Sequence, residues 1–198
     1  MIDPSRFFRS SPLWRGLIGP LLLVGLLLPS AAAAADDAPP SIPLPVASPA
    51  DAPTFAFNPP SATARVGDVL TVQMVVNAGD LLVDAAQALV QFDPTLLEVV
   101  GADGAPASGV SGGSSLSLGL LNSADNAAGE VRYAAGAAFS TPDPSGSFTL
   151  ATISFHALAP GAVTLAFGTG VQGTQLVTPN GTSSTTQLGT ATILILPA

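Results

Sequence analysis

Beyond residue 54, apolar and polar positions alternate with a period of two through most of the chain. Residues 69–77 read VLTVQMVVN, with Leu70, Val72, Met74 and Val76 on one side and Thr71, Gln73 and Asn77 on the other. Successive side chains of a strand point to opposite faces, so the pattern predicts a half-buried strand. Residues 83–92 repeat it: Ala86, Ala88, Val90 and Phe92 face one way, and Ala85, Gln87, Leu89 and Gln91 the other. The same alternation groups Val131, Tyr133 and Ala135 in 129–135 and Val163, Leu165 and Phe167 in 161–167. In 148–158 the inward face reads as Ala151, Ile153, Phe155 and Ala157. Residues 96–100 and 188–196 are two further β-prone runs, and 174–186 carries Pro179-Asn180-Gly181 between Thr-rich arms. Asn-Gly is a strong hairpin signal. No helical stripe appears from residue 36 onward. The expectation is an all-β domain of about nine short strands, a sandwich or barrel.

Breakers divide the strands. Asp93-Pro94 interrupts the two apolar runs of QFDPTLLEV. Proline has no N–H for a ladder, so this dipeptide reads as a corner between strands, with Asp93 in an Asx or type I turn. Residues 101–115, GADGAPASGVSGGSS, read as a flexible surface loop, and 121–130, LNSADNAAGE, as an Asn/Asp loop. No period of 20 to 50 residues repeats, which excludes solenoids and propellers.

The N-terminal quarter has a different character. Arg6, Arg9 and Arg15 precede an apolar run over 17–28, followed by Pro29, Ser30 and five alanines. That layout is a secretory signal peptide, with cleavage expected near Ala35. The run is short and broken by Pro20 and Pro29, whereas a membrane span needs ~20 apolar residues; an uncleaved anchor is the alternative. Residues 36–53 carry six prolines and read as an extended, semi-rigid spacer. The expected organisation is thus a signal peptide over 1–35, a Pro-rich linker over 36–53 and one β-sandwich domain over 54–198.

From residue 36 the chain keeps 12 of its 13 acids, against only Arg65 and Arg132, and it has no lysine or cysteine. An acidic surface of this kind repels phosphate backbones and argues against nucleic acid or anionic membrane as partners. His156 is the one histidine, so no histidine-based nucleophile arrangement is legible, and no two carboxylates stand in a glycosidase frame. Asp80 and Asp84, with Asp103 or Asp125, have oxygen ligands for calcium, but their spacing fits no calcium loop and they read as solvated charges. No catalytic residue, metal or cofactor is expected. Asn180-Gly181-Thr182 matches a glycosylation acceptor and equally suits a hairpin tip.

FAFNPPSATARVGDVLTVQMVVN, VDAAQALVQFDPTLLEVV, GEVRYAAGAAF and SFTLATISFHALAPGAVTLAF follow one another in the order and spacing of a cohesin domain. The Phe92-Asp93-Pro94 corner with Leu97 and the Val66-Gly67-Asp68 turn are the most legible pieces. The resemblance covers nearly all of 54–198. It implies a nine-stranded jelly-roll sandwich and non-catalytic binding, since cohesins hold dockerin modules of secreted proteins, typically glycoside hydrolases. In type I cohesins the exposed face of the strand before the corner carries a polar pair, commonly Asn and Asp. The matching positions here are Ala85, which has no side-chain hydrogen bond to offer, and Gln87, which is neutral. The resemblance therefore places a partner-binding row at Ala85, Gln87, Leu89 and Gln91, with Leu89 as an exposed apolar point. The implied function is a secreted module that docks a dockerin-like partner in extracellular polysaccharide degradation. The alternative is a carbohydrate-binding module of the same fold. Sugar platforms use exposed aromatic faces; Tyr133, Phe92, Phe155 and Phe167 fall on core faces, leaving Phe139 and Phe148 as candidate exposed rings.

Overall fold

A computed structural model describes residues 52–181, 183–184 and 186–198. The segment expected to be a signal peptide, most of the expected spacer, Thr182 and Thr185 lie outside the described residues.

The strands are β1 (Thr54–Asn58), β2 (Ser61–Arg65), β3 (Val69–Asn77), β4 (Ala85–Gln91), β5 (Leu97–Val99), β6 (Ser111–Gly112) and β7 (Leu118–Asp125). They continue with β8 (Glu130–Gly136), β9 (Ser147–Ala157), β10 (Gly161–Phe167), β11 (Gln175–Val177), β12 (Ser183–Ser184), β13 (Gln187–Leu188) and β14 (Thr190–Leu196). Two sheets pack as a sandwich. One runs β13-β1-β3-β9-β5, with β6 also pairing β9. The other runs β12-β11-β4-β10-β14-β2, and β8 and then β7 continue it from the other edge of β4.

The core is made by the alternating residues. Phe55, Val72, Met74, Ile153 and Phe155 face inward from the first sheet, and Ala86, Val90, Val131, Leu165 and Ile193 from the second; all are buried. Aromatic rings pin the sheets together. Phe167 stacks on Phe57 with centroids 4.1 Å apart and meets Phe55 edge-on at 5.7 Å, and Phe92 meets Phe155 edge-on at 5.2 Å. Tyr133 is buried as expected, and desolvation raises the pKa of its phenol.

The Asp93-Pro94 corner is where the chain leaves the second sheet after β4 and enters the first as β5. Asp93 Oδ1 accepts hydrogen bonds from the Thr95 amide at 2.9 Å and the Thr95 hydroxyl at 2.6 Å. Its carbonyl accepts from the amides of Leu96 and Leu97. Gly129 packs beneath the corner at φ 68°, where a Cβ would collide with the Phe92 carbonyl, so that position needs glycine. The 65–68 turn is equally local: the Asp68 carboxylate accepts from the Arg65 amide at 2.8 Å, and Gly67 takes φ 94°.

Three expectations are corrected. The first half of 121–130 is strand, not loop, because β7 reaches Asp125 and pairs with β8. It lies at a sheet edge with nearly every side chain exposed and has a register shift between Gly119 and Leu121, so no alternation marks it. Residues 101–115 are tied down rather than free. Asn126 clamps both the amide and the carbonyl of Val99, Asn122 does the same to Val110, and the segment contributes β6. Phe148 is buried, because a register shift between Met74 and Val75 lets Phe148 and Leu150 point inward along with Ala151 and Ile153. The 174–186 hairpin is present, as β11 pairing β12 across Gly181 at φ 70°.

The hydrogen bonds from the Thr95 side chain, then from its backbone, hold the Asp93 carboxyl below its ordinary value of 3.8. A depressed folded-state pKa gives stability that is present above the unfolded value and is lost as pH falls through the folded one. The stability advantage of the wild type over Asp93→Ala is therefore expected to be constant near neutrality and to shrink below about pH 4. Urea denaturation of both proteins between pH 7 and pH 2 checks this; an advantage that persists unchanged at pH 2 contradicts it.

Candidate docking face

The outer face of the second sheet is set by the register around β4. Ala85, Gln87, Leu89 and Gln91 project from it together, opposite Gly136, Ala134, Arg132 and Glu130 of β8. Beyond β8, Leu118, Leu121 and Ser123 of β7 stand opposite Gly136, Ala134 and Arg132. Residues opposite one another across an antiparallel pair share a face. The centre of the face is therefore a floor of small groups, Ala85, Ala134 and Gly136, beside a ridge of leucines. Leu118, Leu120 and Leu121 are 44%, 61% and 42% exposed.

A second ridge rises on the far side of β4. The edge of β4 away from β8 is shared end to end by two strands: β10 pairs Val90 and Gln91, and β11 pairs Ala85 to Gln87. Residues 168–174 leave the sheet between them. Opposite Leu89 the ladder is completed without a strand. Thr174 Oγ1 accepts from the Leu89 amide at 3.2 Å and donates to its carbonyl at 3.3 Å, and the Gly168 amide donates to that carbonyl at 2.8 Å. Thr174 is the one buried polar side chain among the described residues. Gly168 lies against Leu89, where a Cβ would come within 2.6 Å of Leu89 Cδ2, and the side-chain amide of Gln87 donates to the Gly173 carbonyl at 2.9 Å. The arch so formed lifts Val171 into solvent, 93% exposed.

A trough thus crosses β4 and β8 between the leucine ridge and the arch. It holds two hollows. One, of about 330 Å³, lies among Gln87, Leu121, Arg132, Val171 and Gln172. The other, of about 390 Å³, is lined by Ala85, Leu118, Leu120, the fully exposed Phe139 and the acids Asp84 and Asp143, among others. Arg132 is the cation of the trough. Its guanidinium reaches Glu130 at 3.1 Å and Gln172 at 3.4 Å.

The four residues expected to form the row do share one face, but Leu89 is not its exposed apolar point. It is half-buried under Gly168, and the apolar exposure lies on β7 and the arch. Leu118, Leu120, Leu121 and Val171 were not legible as site residues, because neither segment alternates. His156 sits on the opposite sheet, paired with Val69 and Glu98. Among the described residues no three or more His, Cys, Asp or Glu side chains gather closely enough to hold a metal ion, Asp80, Asp84, Asp103 and Asp125 included.

The sequence profile of the cohesin domain matches residues 55–193. This chain belongs to the cohesin family. No curated protein sequence matches it significantly. Solved cohesins share its fold at low identity. A type II cohesin dyad from the ScaA scaffoldin of Acetivibrio cellulolyticus is 18% identical with a TM-score of 0.58; the match covers 71% of this chain and 47% of the dyad. A type I cohesin solved in complex with a dockerin from Clostridium thermocellum is 12% identical with a TM-score of 0.57, over 74% of this chain and 100% of that one. A non-cellulosomal cohesin from Archaeoglobus fulgidus is 18% identical with a TM-score of 0.55, over 73% and 91%.

In this cohesin the trough offers apolar ridges, a small-residue floor and one arginine held by an acid and an amide. Such a surface can receive a protruding, mostly apolar element such as one face of a helix. Its shape depends on the arch, and the arch on the Thr174 hydroxyl. Thr174→Val is expected to leave the Leu89 amide unpaired and to cost about 1–3 kcal/mol. Thr174→Ser, which keeps the oxygen, is expected to recover most of it. Equilibrium denaturation of the three proteins checks this; equal stability for the Val and Ser variants contradicts it.

Proposed function

We propose that this cohesin is a secreted, non-catalytic module that docks a dockerin-bearing protein through the trough over β4 and β8, in extracellular polysaccharide degradation. The observation that carries the reading is the concentration of exposed apolar side chains there: Leu118, Leu120, Leu121, Phe139 and Val171 all border one trough. Contiguous exposed apolar surface marks an interaction site, whereas single exposed leucines need no explanation. The family membership supports a protein partner, as does the dockerin in the Clostridium thermocellum complex. Ala85 and Gln87 make the centre of the face less polar than the pair usual in type I cohesins, so recognition here rests on apolar packing into the floor, with Arg132 as the polar anchor. The apolar run of 17–28 behind three arginines supports secretion, and the prolines of 36–53 support presentation on a spacer.

Residues 36–198 immobilised in the secreted fraction of the native source are expected to retain a dockerin-bearing protein, identified by mass spectrometry. Because Leu121 and Val171 are exposed and Leu89 is not, Leu121→Asp with Val171→Asp is expected to abolish retention with the melting temperature unchanged. Retention unaffected by the pair would move the site off this face. N-terminal sequencing of the natural protein is expected to begin at or near Asp36, and a retained Met1 would overturn the secretion reading.

A further inference from the structure

The opposite face of the sandwich carries a different surface. Ile153 is buried, so Thr152 and Ser154 of β9 project outward from the first sheet. The register sets Thr152 beside Gln73 on one side and Ser111 on the other, and Gln73 beside Asn58. Four neutral polar side chains, Asn58, Gln73, Thr152 and Ser111, thus form one row across four strands, at a spacing of about 4.8 Å per strand. The Asn58 side-chain NH2 donates to the Gln73 side-chain carbonyl at 3.1 Å, which leaves the Asn58 carbonyl oxygen and the Gln73 amide NH2 uncommitted.

At one end the row opens into a hollow of about 240 Å³. It exists because β9 changes neighbours there: β5 pairs it at 155–157 and β6 at 151–152, and Ser154 faces the gap between. The hollow is walled by Val100, Gly101, Ala102, Gly109 and Val110. No ionisable side chain lines it, and the hydroxyls of Ser111, Thr152 and Ser154 make no hydrogen bond to any described residue. The walls are anchored on both sides. Asn122 holds Val110 by two bonds of 2.8 Å, the Ala124 amide donates to Ser108, Asn126 holds Val99, and the Gly101 amide donates to Ala105. Three free hydroxyls in an anchored hollow with no ionisable side chain in its lining form a pre-organised site, with the Asp103 carboxylate beside Gly101 of the wall, and pre-organisation reduces the ordering cost of binding.

We propose that this hollow, with the row leading into it, binds a neutral glycan. A sugar ring has hydroxyl edges and C–H faces, which match the three hydroxyls and the small apolar wall of Val100, Ala102 and Val110. The absence of lining charge disfavours phosphate, carboxylate and amine ligands. The volume falls below the ~300–1,000 Å³ usual for drug-sized ligands, so one ring fills the hollow and further units lie along the row. The site does not rest on the docking reading, since it lies on the other sheet.

Affinity electrophoresis of residues 36–198 in gels containing soluble cellulose ether, xylan, glucomannan, alginate or chitosan tests the proposal. Retardation is expected in at least one of the three neutral gels. Thr152→Val with Ser154→Ala should weaken it about tenfold, two hydrogen bonds being lost. Leu121→Asp with Val171→Asp should leave retardation unchanged. Retardation in none of the neutral gels, or retardation only in the alginate or chitosan gel, overturns the proposal. Retardation that survives the Thr152–Ser154 pair and is lost with the Leu121–Val171 pair places sugar on the trough and overturns it too. A matched melting temperature for the variants excludes loss through unfolding.

Discussion

The structure depends on how the ladder of β4 is satisfied. A buried strand must pair its backbone groups along both edges, because an unpaired N–H or C=O costs free energy comparable to a lost hydrogen bond. One edge of β4 is covered by β8 over its whole length. The other is divided between β10 and β11, and no strand reaches Leu89. The Thr174 hydroxyl and the Gly168 amide occupy that position. With the gap closed by a side chain, the intervening residues are free to leave the sheet, and they become the arch that walls the trough. The same event thus completes the fold and shapes the face.

The two outer faces of the sandwich differ because their exposed residues differ. The face over β4 and β8 is floored by alanine and glycine and bordered by leucines, and its one cation is tied to Glu130 and Gln172. The face over β3 and β9 carries mostly hydroxyls and amides around Thr71, Gln73, Thr152 and Ser154, with Val69 and His156 paired at one end. Burial of apolar area favours a protein partner on the first. Hydrogen bonding to neutral groups favours a polar, uncharged ligand on the second. A module with both could hold a protein and a polysaccharide at once without competition between them.

Anchoring by asparagine recurs. Asn122 and Asn126 flank the end of β7, and each closes both hydrogen bonds of a residue in a neighbouring segment, Val110 and Val99. A side-chain amide has a donor and an acceptor in one plane and can complete a ladder where no strand is available. In a domain without disulfides these contacts hold the glycine-rich segment 101–115 against the sheets.

The period-two pattern in 69–77, 83–92, 148–158 and 161–167 was enough to determine an all-β domain, sandwich or barrel, and most of its core, because burial of one strand face demands that alternation; the resemblance to cohesins chose the sandwich. Asp93-Pro94 and Val66-Gly67-Asp68 were legible as turns because their conformations are set by local chemistry. The sequence also placed Ala85, Gln87, Leu89 and Gln91 on one face. It could not show β7 as a strand, since an edge strand exposed on both sides needs no alternation, nor that Phe148 turns inward, since a register shift depends on the neighbouring strand. Nor could it show that Leu89 lies beneath Gly168, that Leu121 and Val171 meet across a trough, or that Ser111 joins Thr152 and Ser154. Those pairs are separated by 79, 50 and about 40 residues along the chain, and only strand pairing across the sheets brings them together.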